Sequence, residues 1–298
     1  MAAESKFCTV GTGYRIQIPQ PKKRHFFQKI TGWPILSVLV CSLIILGCIF
    51  APLIANHDPT AFYLDSLNEA PNREFLFGTD SLGRDLFSIL FYGGRTSISI
   101  GLLSAAIMAV IGIIYGSISG IAHSKVDSVM MRIAEMCGSI PTILIILILT
   151  AIFPAGNILN MSVVIGISGW FTLARIVRSE VRQIRNSDYV LYARCSGGGL
   201  LYVIWRHLVP NFLSAVMFIL ISNIGSAIMM ESTLSFLGLG LPVEILSWGS
   251  MLSLAGKALL MNTWWVIVIP GVFLIVTLLC ITNIGHFIRK ETKRWSNL

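Results

Sequence analysis

Between Arg175 and His207 the chain carries six arginines, at 175, 178, 182, 185, 194 and 206, against two acids, Glu180 and Asp188. A basic stretch of this kind on a membrane protein either docks a soluble partner or is a loop obeying the charge bias of insertion. Two other places concentrate ionisable groups. Gly78-Thr79-Asp80 and Gly83-Arg84-Asp85 read as tight turns, in which an aspartate accepts from backbone amides and the arginine pairs with a carboxylate. Glu231 stands alone beside a long apolar run, where a carboxylate is costly and faces a cavity, a partner or its own loop. The chemistry that is absent narrows the field further. The histidines (25, 57, 123, 207, 286) are widely separated, and the six cysteines form neither a C-x-x-C nor a Cys/His cluster. No nucleotide-cradling G-x-x-x-x-G-K-[ST] occurs, and no Ser/His/Asp arrangement argues for a hydrolase.

The elements that must position these residues are apolar. Of 298 residues 55% are hydrophobic and only 12% charged, with mean hydropathy +0.78; a soluble domain carries about a quarter charged residues. The chain is therefore an all-α integral membrane protein. Its net charge of +8 is accounted for by loops at the cytoplasmic face and calls for no nucleic acid. Apolar runs place six spans near 35–55, 96–122, 133–153, 161–177, 212–230 and 264–283, each about the length a bilayer demands. Pro141 reads as a kink within the third. Trp248, Trp264 and Trp265 read as interfacial anchors, and Arg175 and Arg178 as lipid-facing or topology charges.

Lysine and arginine sort by side. The N-terminal segment 1–34, the connection 123–132, the stretch 175–207 and the tail 286–298 are basic; 56–95, 154–160 and 231–263 are acidic or nearly neutral. Six spans with both termini in the cytoplasm satisfy this pattern. Residues 178–211 then form a cytoplasmic loop, with a short helix begun at Asn186, Ser187 or Asp188, a stop at Gly197-Gly198-Gly199, and Pro210 ahead of the next span. The absence of an internal repeat weighs against a secondary transporter.

Asp188–Asn211 resembles the cytoplasmic EAA loop of ABC importer permeases. Ala193, Gly197 and Pro210 fall at the spacing of that family, and Arg206-His207-Leu208-Val209-Pro210-Asn211 is similar to its closing segment. Leu191 and Tyr192 replace the usual Glu and first Ala. Phe77-Gly78-Thr79-Asp80-Ser81-Leu82-Gly83-Arg84-Asp85 with Gly93-Gly94-Arg95-Thr96-Ser97, and Glu231–Pro242 with Ser247–Leu252, resemble the dipeptide, oligopeptide and nickel branch. The chain is thus similar to the C-type permease subunit of such a pair.

The resemblance implies a type I-like permease fold in the cytoplasmic (inner) membrane, without catalytic or metal residues of its own. Asp188, Tyr189, Leu191, Tyr192, Ala193, Gly197, Arg206, His207 and Pro210 would form the ATPase-coupling loop, Gly197 setting its angle and Pro210 its exit. Asp80, Arg84, Asp85 and Glu231 would either contact the pathway or a docked binding protein, or brace the loops in which they stand. The implied partners are a second related permease, two cytoplasmic P-loop ATPases that bind ATP and Mg, an extracytoplasmic binding protein, and the lipid bilayer. The implied cargo is a peptide, nickel or a metal chelate. A secondary transporter or channel working without ATP, and a signalling subunit sharing the same docking loop, are the rival readings.

Overall fold

In the computed structural model, residues 34–153, 156–185, 209–242 and 244–295 are described, and all of their regular structure is helical apart from one isolated bridge, Thr79–Asp85. The helices are α1 (Ile35–Ile49), α2 (Ala51–Ile54), α3 (Leu86–Ile121), α4 (Ser124–Ser139), α5 (Thr142–Ile152), α6 (Ile158–Ser168), α7 (Trp170–Arg185), α8 (Val209–Phe236), α9 (Trp248–Ser253), α10 (Ala255–Leu260) and α11 (Trp265–Trp295). A single 3-10 turn, Leu64–Ser66, lies in the loop after α2.

By length and apolarity α3, Val216–Phe236 of α8 and Trp265–Lys290 of α11 can each cross a bilayer. Two further crossings arise if the bent pairs α4–α5 and α6–α7 each count as one, while α1 is apolar but only 15 residues long. At 1.5 Å per residue α1 spans about 22 Å, short of a hydrocarbon core of roughly 30 Å. Leu36, Leu39, Leu43 and Leu46 on α1, Val110, Ile114 and Ile118 on α3, and Val268, Val272, Ile275 and Leu279 on α11 are exposed at three- and four-residue spacing. These are apolar stripes of the kind that face lipid.

Several helices depart from the expected spans. The second begins ten residues before Thr96, at Leu86, because Asp85 caps it: its Oδ2 accepts from Ser88 N at 2.9 Å. Pro141 does not kink a continuous third span but separates α4 from α5, whose axes differ by 90°. Ile140 is extended (φ −84°, ψ 130°), as the clash of a proline ring with the preceding residue requires. The connection 123–132 is itself mostly helical, as the start of α4. The fourth span is likewise broken, at Gly169, into α6 and α7, which meet at 50°. The fifth and sixth run on through Phe236 and Trp295.

α3 is the axis of the bundle and touches α1, α2, α4, α6, α7, α8 and α9. Its approach to α7 is made by Gly112, Gly116 and Gly120, one per turn. A Cβ on Gly112 would sit 2.9 Å from Leu173 Cβ, on Gly116 2.8 Å from Val177 Cβ, and on Gly120 2.7 Å from Val181 Cγ1. Small residues at four-residue spacing let membrane helices come this close. α7 answers with buried Leu173, Ala174, Val177 and Val181, which leaves its arginines on other faces. Where α3 passes α1, Arg95 Nε donates to Cys48 O at 2.6 Å, and a second guanidinium nitrogen donates to Ile49 O. Both carbonyls lie in the last turn of α1, where no further turn of the helix takes them up, so Arg95 caps its end.

Candidate functional site

Three polar constellations are set into this apolar frame. In the first, the loop between α2 and α3 folds around Asp80. One carboxylate oxygen accepts from Leu82 N (2.8 Å) and Arg84 N (3.0 Å), the other from Arg84 Nε (2.8 Å). Asp80 is 1% and Arg84 4% exposed. Gly78 (φ 77°) and Gly83 (φ 74°) supply the left-handed turns on either side. Thr79 Oγ1 donates to Ser66 O and accepts from Glu69 N, and Trp265 Nε1 donates to Thr79 O at 3.1 Å, which ties the loop to the start of α11. Asp85 is fully buried beneath α3. The sequence pattern of carboxylates accepting backbone amides is what the structure contains: Asp80 and Arg84 turn into the loop, and Asp85 turns to the first turn of α3, where its Oδ2 accepts from Ser88.

In the second, Glu231 lies within α8, a turn and a half before its end, with no exposed surface. Its Oε1 accepts from Ser235 Oγ (3.0 Å) and Ser247 Oγ (2.8 Å), its Oε2 from Ser97 Oγ (3.1 Å) and Ser232 Oγ (3.4 Å). These hydroxyls come from α3, α8 and the N-cap of α9. Four donors offset the loss of water around a buried carboxylate. Ser247 and Ser250 form a capping box that starts α9, so one serine serves both the helix and the glutamate. Gly249 leaves room for the carboxylate: a Cβ there would lie 2.8 Å from Glu231 Oε1. Trp248 and Trp265 are not interfacial anchors. Trp248 is fully buried, donating its indole N–H to Leu90 O at 2.9 Å, and Trp265 is 9% exposed, whereas Trp264 remains 56% exposed.

The third was not anticipated. Asp127, in the first turn of α4, accepts from Arg178 Nε (2.9 Å), Arg178 Nη2 (2.5 Å) and Ser119 Oγ (2.6 Å), and Arg182 Nη2 lies 2.8 Å away. Arg178 is thus not lipid-facing but half of a bidentate ion pair. The signal lay in a single acid between Lys125 and Arg132 and in two arginines one turn apart. Beside this cluster a cleft of about 380 Å³ is lined by Ser128, Met131, Arg132, Glu135, Arg175 and Arg178. Among the described residues no group of three His, Cys, Asp or Glu side chains is placed to hold a metal.

Of the expected coupling loop, Asp188, Tyr189, Leu191, Tyr192, Ala193, Gly197, Arg206 and His207 lie outside the described residues. Pro210 falls in the first described turn of α8.

Residues 112–294, from the middle of α3 almost to the end of α11, match the family model described as binding-protein-dependent transport system inner membrane component. The oligopeptide transport system permease protein OppC of Bacillus subtilis is 35% identical over 85% of this chain and 82% of its own length. The dipeptide transport system permease protein DppC of the same organism is 34% identical over 80% of this chain and 74% of its own. OppC of Haemophilus influenzae is 35% identical over 91% and 86%. With its buried carboxylates engaged in structure, and with a family match over most of its helices, the chain belongs to the inner membrane components of binding-protein-dependent transport systems, which are non-catalytic transmembrane permease subunits.

Proposed function

We propose that this chain is one half of the translocation pathway of an ATP-driven importer whose cargo is peptides. The observation that carries the reading is the similarity, over four fifths or more of the chain, to permeases named for oligopeptide and dipeptide transport. A second related permease completes the pathway. Two cytoplasmic ATPases bind ATP and Mg and engage residues 186–211, and an extracytoplasmic binding protein delivers the substrate. With the short apolar α1 as a sixth crossing beside the three long helices and the two bent pairs, both termini fall on one side, and the basic segments make that side the cytoplasmic face of the inner membrane.

In this reading ATP closure of the ATPases moves the 186–211 segment, and the helices switch between inward- and outward-facing packings. Asp80, Arg84 and Asp85 hold the outer loop in shape, and Glu231 holds α9 against α3 and α8. None of the four is a substrate ligand.

The test is purification of the tagged chain from its native membrane, mass spectrometry of what accompanies it, and uptake by the reconstituted complex. Two P-loop ATPases, a sister permease and a peptide-loaded binding protein, with ATP-dependent peptide uptake, are expected. A binding protein loaded with nickel or a metal chelate would overturn the substrate. Uptake driven by an ion gradient without any ATPase would overturn the importer.

A further inference from the structure

Of the 16 residues of α4, Asp127, Met131 and Ala134 are buried, the last two packed with Phe171 of α7 and Tyr115 of α3, whose Oη donates to Met130 O at 2.7 Å. One of these three buried side chains is a carboxylate. That carboxylate gathers the ends of three helices. Ser119 belongs to the last turn of α3, Asp127 to the first turn of α4, and Arg178 and Arg182 to consecutive turns of α7. Three residues beyond Arg182, Arg185 donates to Ile121 O at 2.7 Å and closes the end of α3. The chain then enters 186–211. At its other end α4 is released from α5 by the extended pair Ile140–Pro141 and the 90° turn. Between α4 and α7, just past the clamp, opens the cleft of about 380 Å³.

A rod hinged at one end and pinned at the other by a bidentate ion pair moves with whatever holds the pin. Bidentate arginine–carboxylate bonds fix direction as well as distance, and withdrawing one partner strands a buried charge. We propose that Asp127 is a coupling clamp: through Arg178 and Arg182 it makes α4 follow α7, so that displacement of the segment after α7 reaches the membrane helices by way of α4 as well as α8. Asp127 is a positioning residue here and touches neither nucleotide nor cargo. The inference rests on the importer reading for the source of the displacement.

The test compares the whole reconstituted complex carrying wild-type chain, Asp127→Asn, Asp127→Glu or Arg182→Gln, reading cargo taken up per ATP hydrolysed. Loss of a clamp lowers that ratio: about tenfold for Asp127→Asn, less for Arg182→Gln, which keeps the bidentate arm, with recovery to within about threefold of wild type in Asp127→Glu. Uptake and hydrolysis falling together mean a merely structural residue and overturn the proposal, as does an unchanged ratio in Asp127→Asn. If Asp127→Asn does not assemble, Arg182→Gln decides, since its side chain is 42% exposed; an unchanged ratio there overturns the clamp. Hydrogen exchange over 124–139 is a second readout. It should respond to ATP in wild type and lose that response in the variants, and a wild type without any response overturns the clamp. Absence of ATP-driven uptake by wild type is a separate result that strikes the importer reading alone.

Discussion

Ser97 on α3 joins two segments far apart in the chain: its hydroxyl donates to Glu231 Oε2 at 3.1 Å and accepts from Trp248 N at 3.1 Å. The hydroxyl thus passes a hydrogen bond from the start of α9 to the buried carboxylate of α8. Ser235 and Ser247 complete the arrangement on the other oxygen, and no lysine or arginine among the described residues takes part in it.

Because the carboxylate is held by hydroxyl groups, the two obvious replacements of Glu231 separate. Glu231→Gln keeps the shape and two acceptor positions, and serine hydroxyls accept from its amide. It is expected to accumulate in the membrane with a small loss of thermal stability. Glu231→Ala strands the serines and opens a void, at about 1–3 kcal/mol for each buried group left unpaired. The measurement is membrane abundance and thermal aggregation in detergent; equal behaviour of the two variants would count against the node.

Trp248 is separable in the same way. Trp248→Phe keeps most of the ring but removes the indole N–H that bonds Leu90 O, a loss of about 1 kcal/mol. Trp248→Ala opens a cavity in a core shared with Ile44, Leu86, Ile89 and Met251 and costs roughly 3–5 kcal/mol. Melting of the purified subunit ranks them; an Ala variant as stable as the Phe variant contradicts the buried placement.

The α3–α7 contact makes a prediction about volume. Gly116→Val drives a side chain into Val177 and the Ala174 carbonyl, an overpacking cost of about 1–3 kcal/mol or more. Gly271 in α11 has nothing within 4 Å of an added Cβ, so Gly271→Ala is neutral or gains up to about 1 kcal/mol from helix propensity. Comparable damage from both substitutions would show that the close approach is not real.

Arg84→Ala removes the cation from a buried pair while Asp80 stays behind with two backbone amides. Loop 56–85 is expected to become protease-sensitive from the exposed side while the helices stay protected. Asp80→Asn, which still accepts from Leu82 N and Arg84 N, is expected to do less harm. The wild-type loop should resist protease equally in low and high salt, since a pair this buried is poorly screened; salt-induced cleavage would place the pair at the surface instead.

Much was legible before any coordinates. Apolar runs of bilayer length and a low share of charge compel membrane helices, because lipid offers backbone groups no other partner. Gly78, Asp80, Gly83 and Arg84 announced their turns, since left-handed glycines and carboxylates accepting backbone amides are local chemistry. Residues 77–97, 188–211 and 231–252 also carried the family resemblance. The break at Pro141 was legible only as a kink, and nothing in the sequence marked the break at Gly169. A proline marks a place where the helix can yield, but neighbouring helices set whether it yields by a few degrees or by 90°.

The class of protein, the approximate extent of its helices and the local turns follow from residue order, because contacts within a few residues or with the solvent govern them. The partner of each buried polar group follows only from how the helices pack. Asp127 meets Arg178 across 51 positions and Glu231 meets Ser97 across 134. Periodicity tells which face of a helix avoids lipid, and packing alone tells which other face it meets.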